Sequence, residues 1–264
     1  MDLTGTDAKK ERPRKRGAGR FFEVLFGNFR DLIKLDLLFC CSALLSAAAF
    51  VVGFFGVLTA YMYLLALLTA LPIGGALSAC FFCVTKMLRD EPGYIGHDFR
   101  RKFKENFKQA AAPGMLCAVF VYVQVFLWGP LIYADGGIGL VWLILGIVVL
   151  LLFGMVVPYV FLQIAYIDLK TSQILKNSVL ISFINAPRSL MGALTAGVMW
   201  VIYVFFLPDS LLVTPIIVLV GIPISWLLNM MWVWPPVDKQ FKIDETLREK
   251  RENPAGNDKT ENME

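Results

Sequence analysis

At 264 residues, 57% hydrophobic and only 17% charged, the chain carries more apolar surface than a water-soluble domain can bury, since such domains hold roughly a quarter charged residues. A mean hydropathy of +0.64 fits the same conclusion. An ordinary soluble domain is excluded, and a bilayer is the solvent that suits the composition.

The N-terminus opens with polar and basic residues and has no short apolar core followed by a small-residue cleavage site, so no secretory signal is read here. Residues 1–20 are expected to be a disordered basic tail. Its run Lys9–Arg20, KKERPRKRGAGR, has seven basic residues in twelve, which favours one topology and attracts anionic lipid. Nucleic acid is a poor partner because no folded aromatic platform accompanies the run.

Phe21–Lys34 follows, FFEVLFGNFRDLIK, with Phe22, Leu25, Phe26, Phe29, Leu32 and Ile33 in the i, i+3, i+4, i+7 stripe of an amphipathic helix. From Leu37 to Thr85 there is no charged residue. That stretch is too long for one span of about 20 residues. A turn near Gly53–Gly56 divides it into spans at about 35–55 and 58–85. Within the second, Leu71-Pro72-Ile73-Gly74-Gly75 predicts a helix break, and Pro72, Gly74 and Gly75 are candidate residues of a cavity there. A plain kink is the competing reading.

His97–Gln109, HDFRRKFKENFKQ, again predicts an amphipathic helix. Phe99, Phe103 and Phe107 lie on one face, with Arg100, Arg101 and Lys104 among the basic residues around them. This is the candidate lipid or partner face, unless the helix merely connects spans. Spans at about 110–132 and 138–162 flank a turn at Asp135-Gly136-Gly137, and a third polar-apolar segment covers Thr171–Arg188. Spans at about 190–206 and 211–234 flank Pro208-Asp209-Ser210. The tail 235–264 is expected to be flexible, with a short solvated helix over Asp244–Glu252.

The reading is an all-α polytopic transmembrane bundle: one domain, residues 21–234, with six spans in three hairpins and amphipathic interfacial helices on the cytoplasmic side. Five spans is the alternative count. Arg and Lys number nine through Lys34, seven over Lys86–Lys108, three over Lys170–Arg188 and six after Trp234, all on one side. The positive-inside rule makes that side, and both termini, cytoplasmic. Phe26/Asn28, Phe103/Asn106 and Phe183/Asn185 suggest a weak threefold repeat, with chance as the alternative.

No catalytic constellation is visible. His97 is the one histidine, and no nucleophile motif, phosphate loop or metal-ligand spacing occurs. Cys80-x-x-Cys83 lacks a second pair and is read, with Cys40, Cys41 and Cys117, as small apolar packing. Gln124 and Asn229 are the buried amides, suited to interhelical hydrogen bonds. No enzyme, cofactor or metal is expected.

Four stretches carry a family resemblance: FFEVLFGNFRDLIKLDLLF, LPIGGALSACFFCVTKMLRDE, DFRRKFKENFKQ and IDLKTSQILKNSVLISFINAPRSL. Through them the chain resembles the YesL family of bacterial membrane proteins over most of residues 21–206. The resemblance implies an integral protein of the cell membrane, of unknown biochemical activity, with an accessory role in carbohydrate uptake suggested by the genes found near family members. It supplies no functional residues. Two function classes therefore stand: a component or accessory of solute transport, and a non-transporting scaffold that binds anionic lipid or recruits a cytoplasmic partner.

Overall fold

The computed structural model describes residues 17–56, 59–133, 138–206 and 213–252. Residues 1–16 of the tail expected over 1–20, the turns at 135–137 and 208–210, and residues 253–264 lie outside them; residues 18–20 of that tail open the first helix. All regular structure among the described residues is helical: α1 (Ala18–Gly27), α2 (Phe29–Phe54), α3 (Thr59–Thr69), α4 (Leu71–Leu88), α5 (Ile95–Tyr133), α6 (Ile138–Tyr166), α7 (Thr171–Ile184), α8 (Ala186–Phe206), α9 (Val213–Phe241) and α10 (Ile243–Glu252). Among the described residues three helices are long and apolar enough to cross a membrane: Phe29–Phe54, Ala60–Leu88 and Ile144–Tyr166. The pair α7 and α8, bent by 98°, makes a fourth if taken as one broken span.

Helix α4 is the hub, packing on α2, α3, α5, α6 and α9. It is fit for that position because it is built from small residues: Gly74, Gly75, Ala76, Ser78, Ala79, Cys80 and Cys83 are all buried. Small side chains let backbones approach, which is how helices associate in lipid. Against α5 the approach reaches backbone contact. A Cβ on Gly74 would overlap the Ala110 carbonyl, and one on Gly114 would overlap the Gly74 backbone. The pair runs antiparallel, as Asn106 Nδ2 donates to Ser78 Oγ at 2.8 Å and Lys86 Nζ to Asp98 Oδ2 at 2.5 Å further along.

The break expected at Leu71–Gly75 falls at Ala70, between α3 and α4. Pro72 has no N–H, and the turn tightens so that Ala70 N–H bonds Leu67 O at 3.2 Å. Ala66 O thereby loses its usual helical donor. It is recovered by Ser46 Oγ of α2 at 2.7 Å and by Thr69 Oγ1 at 3.2 Å, and Ser46 in turn bonds the Tyr122 hydroxyl of α5. The freed group is thus answered by hydroxyls from protein. Gly74 and Gly75 are sealed against Ala110, Gly114 and Phe103. A cavity of about 90 Å³ lies elsewhere, between α5, α6 and α7, lined by apolar side chains including Pro113, Cys117, Phe153, Val157, Phe161 and Leu175.

Three boundaries differ from the sequence reading. The first amphipathic segment is two helices, because Asn28 ends α1 and α2 begins at Phe29. The segment His97–Gln109 does not stop before its span but continues through it as α5, 39 residues in one helix. The short helix expected over Asp244–Glu252 is present as α10, but residues 235–241 before it are not a loose tail. Helix α9 carries on through Pro235 and Pro236 to Phe241, and Val237 and Ile243 are buried.

Replacing Gly114 by leucine should therefore unseat α5 from α4. A destabilisation of at least about 2–3 kcal/mol, the cost of forcing bulk into a filled contact, is expected in detergent. Gly197, with open space around it, is the control, where alanine should leave the thermal midpoint unchanged.

Candidate functional site: the charged end of the bundle

Ion pairs and polar bonds bring together the start of α1, the ends of α4, α6 and α9, and the start of α5. The end of α4 sets the frame. Glu91 N–H bonds Lys86 O at 3.1 Å and Asp90 N–H bonds Met87 O at 3.1 Å, with Asp90 at φ 57°. This is the paired C-terminal cap that ordinarily puts glycine at the left-handed position. An aspartate there bears a steric cost but supplies a carboxylate, which accepts from Arg20 at 2.5 Å. Arg20 also donates to Leu88 O at 2.8 Å, so α1 docks on the orphan carbonyls of α4. Burial works against the charge on Arg20, but its bonds to Asp90 and Glu23 outweigh that and raise its pKa above the ordinary arginine value.

Arg89 occupies the middle. Its side chain is 6% exposed, pairing with Asp244 of α10 at 3.2 Å and with Glu91 at 3.3 Å. It donates to the Tyr166 hydroxyl at 3.1 Å, and its guanidinium lies 5.2 Å from the Tyr166 ring and 4.9 Å from the Trp234 ring. Tyr166 is itself bonded to Thr85 at 2.6 Å. Attraction across 3.2 Å is worth about 5 kcal/mol at an effective dielectric of ~20, similar to the several kcal/mol needed to desolvate a buried ion. Charge alone therefore does not account for the buried arginine. The rings and the hydroxyl complete its shell. Helix α10 is held by the same group, and Asp238 Oδ1 accepts from Asp244 N–H at 2.7 Å near its N-terminus.

The candidate face on α5 divides in two. Phe99 is buried in the main apolar cluster, and Phe103 packs against that cluster and over Gly75. Phe99 stacks on Phe103 with ring centroids 6.0 Å apart, and Phe107 lies 5.6 Å further on, tilted by 53°. Phe99 and Phe103 of this stripe face protein, because α5 meets α4 along this line and Gly75 leaves room for a ring, while Phe107 beyond them is half-buried. Arg100, Arg101 and Lys104 stay exposed on the opposite side.

The outward aromatics are on α1 and α7 instead. Phe22 is 52% exposed and Phe26 74%, while Val24 and Leu25 on the other side of α1 are buried. On α7, Leu180, Phe183 and Ile184 are exposed at 59%, 55% and 69%, while Ile174, Ser178 and Ile181 are buried. Both helices end in the same joint. The backbone and side-chain amides of Asn28 both donate to Val24 O, at 3.0 and 3.1 Å, and those of Asn185 to Ile181 O at 3.0 and 3.1 Å. In the middle copy Asn106 lies inside a continuous helix and bonds Ser78, so the joint recurs in two of the three suggested copies.

Other polar groups stitch helices together. Gln124 Nε2 donates to Gly146 O at 3.4 Å and Asn229 Nδ2 to Gly192 O at 3.1 Å. Gln163 and the Tyr159–Ser189 pair, which the sequence reading did not single out, do the same at 2.9 Å from α6 to α7 and α8. Asp36 is fully buried within α2, and the Cys40 thiol donates to it at 3.7 Å. All five cysteines are free thiols, three of them buried.

Residues 32–127, less than half of the chain, match a family model described as a protein of unknown function, DUF624. No curated protein and no solved structure matches.

Arg89→Ala would leave Glu91 and Asp244 facing the space the guanidinium filled, and should cost about 3–5 kcal/mol, the toll of breaking a buried pair. Asp244→Asn should cost far less. In Arg89→Ala the Asp244→Asn change should add almost nothing, a coupling read from thermal midpoints of the four proteins in a double-mutant cycle.

Proposed function

We propose that this is a six-span protein of the cell membrane, multi-pass, with both termini in the cytoplasm, and that it works as a non-transporting scaffold through its cytoplasmic face. It is no enzyme on this reading and takes no cofactor or metal. The observation that carries the proposal is the division of labour between the two parts of the bundle. The helix break at Ala70 is closed by Ser46, Thr69 and Tyr122, and the glycines beyond it are sealed on α5. The exposed cations Arg100, Arg101 and Lys104 and the outward rings of α1 gather at the charged end. A surface of cations beside apolar rings suits acidic lipid headgroups and an acidic cytoplasmic partner.

A second reading is a component or accessory of solute transport, with carbohydrate as the substrate class. It is favoured by the resemblance to YesL proteins. On this reading the scaffold serves a transporter, and Arg100, Arg101 and Lys104 form the docking face.

Reporter fusions at Asp135 and Asp209 should be active outside the cell, and a fusion after Glu264 only inside. Charge reversal at Arg100, Arg101 and Lys104 should abolish crosslinking to a cytoplasmic partner without lowering protein abundance. Oligosaccharide uptake by a deletion strain separates the readings: unchanged uptake across a broad panel removes the accessory role, and a selective loss supports it.

A further inference from the structure

Helices α1 and α7 are apolar on two opposite sides. Each has one side against the bundle, through Val24 and Leu25 or through Ile174 and Ile181. Each turns a second set of large apolar residues outward, Phe22 and Phe26 on α1, continued by Phe29 at the start of α2, and Val179, Leu180, Phe183 and Ile184 on α7. These outward sets are a large loss if they face water. The angle of 98° between α7 and α8 lays α7 across the foot of the helix that follows it. The matching asparagine joint ends α1 at the foot of α2.

The outward surface also runs on into exposed apolar residues of the helices above, Leu37, Leu44 and Leu45 on α2, and Leu190, Met191 and Leu194 on α8. Cations lie where the two surfaces meet: Arg30 and Lys34 after the first joint, Lys34 shared with Asp31 at 3.3 Å, and Lys176 and Arg188 around the second, all exposed. A helix in the headgroup plane needs this combination, apolar rings toward the acyl boundary and cations at phosphate level.

We propose that α1 and α7 are in-plane lipid helices that concentrate acidic phospholipid around the charged end of the bundle. The occupant of both outward faces is the anionic leaflet, not a protein. This rests on the reading that α2 and α8 are embedded in a membrane. Each cation near such a surface contributes about 1 kcal/mol, or about fivefold in local lipid preference.

The test uses the full-length protein with a benzophenone amino acid in place of Phe26, Phe183 or Leu45, in nanodiscs of roughly one part phosphatidylglycerol to four parts phosphatidylcholine, a composition that leaves room for the expected enrichment. Irradiation at Phe26 and Phe183 should give phospholipid adducts whose phosphatidylglycerol-to-phosphatidylcholine ratio is raised about fivefold over the bulk ratio, to about five to four. The enrichment should shrink in high salt, in Arg30→Gln/Lys34→Gln for position 26, and in Lys176→Gln/Arg188→Gln for position 183. Adducts at the bulk lipid ratio, indifferent to salt and to these changes, overturn the acidic-lipid assignment. In whole cells, adducts to a second protein or a second copy overturn the lipid occupant, and absence of any adduct overturns the docking altogether. Leu45, 63% exposed on α2, separates the two levels of the argument. Lipid adducts at Leu45 without any at Phe26 and Phe183 refute this inference alone, and their absence at Leu45 refutes the membrane reading as well.

Discussion

The backbone contact between α4 and α5 is the constraint on which the rest of the bundle depends. Lipid tails are as apolar as leucine, so little hydrophobic force draws two helices together within a bilayer. Close fit and a few hydrogen bonds must do it. Gly74 meets Ala110 and Gly114 with no room for a Cβ, and Phe103 then lies over Gly75. The bonds Asn106–Ser78 and Lys86–Asp98 set the register further along the same pair. With α5 fixed, the end of α4 is placed where Arg89 can reach Tyr166 of α6 and Asp244 of α10. A shift of one residue at the glycines would carry the Lys86–Asp98 pair out of range.

The helix break gains its meaning from this contact. A proline near the start of a helix is tolerated because its missing N–H is not needed there, and Pro72 sits at the start of α4. The carbonyl freed at Ala66 is taken by Ser46 and Thr69, and the Ser46–Tyr122 bond links the same place to α5. Around it, Phe50 stacks on Tyr122 with ring centroids 4.0 Å apart and lies 5.6 Å from Tyr63. The interruption thus ties α2, α3 and α5 together.

Much of this architecture is legible in the sequence, and the reasons for the rest are physical. Long uncharged runs reveal apolar helices because hydropathy is summed along the chain, and the all-helical class follows directly. The joint at Asn28 is less visible, since apolar residues continue at helical spacing on both sides of it. Arg89 gives no sign of its burial, because Tyr166, Trp234 and Asp244 are brought to it by tertiary packing over more than seventy residues of separation. The turn near Gly53–Gly56 was readable because glycine marks it: Gly56 adopts φ 82°, a conformation that costs glycine little. Two consecutive prolines after Trp234 usually end a helix, whereas here α9 runs on to Phe241 and Val237 and Ile243 bury on the bundle.

The phenylalanine stripe of α5 and the faces of α1 and α7 show why periodicity alone does not name a surface. A single apolar stripe backed by cations satisfies two equally simple arrangements, ring side on lipid or ring side on protein. On α5 the choice is made by Gly75, whose lack of a side chain accepts Phe103, and the cations are left facing outward. Helices α1 and α7 carry apolar residues on two sides, and one neighbouring helix can cover only one of them. A second apolar environment is then required by composition, whatever the stripe's strength. The informative quantity is therefore the apolar surface left after the protein's own contacts are filled. By that measure the distinctive surface lies on α1 and α7, where Phe26, Phe183 and Ile184 remain more than half exposed.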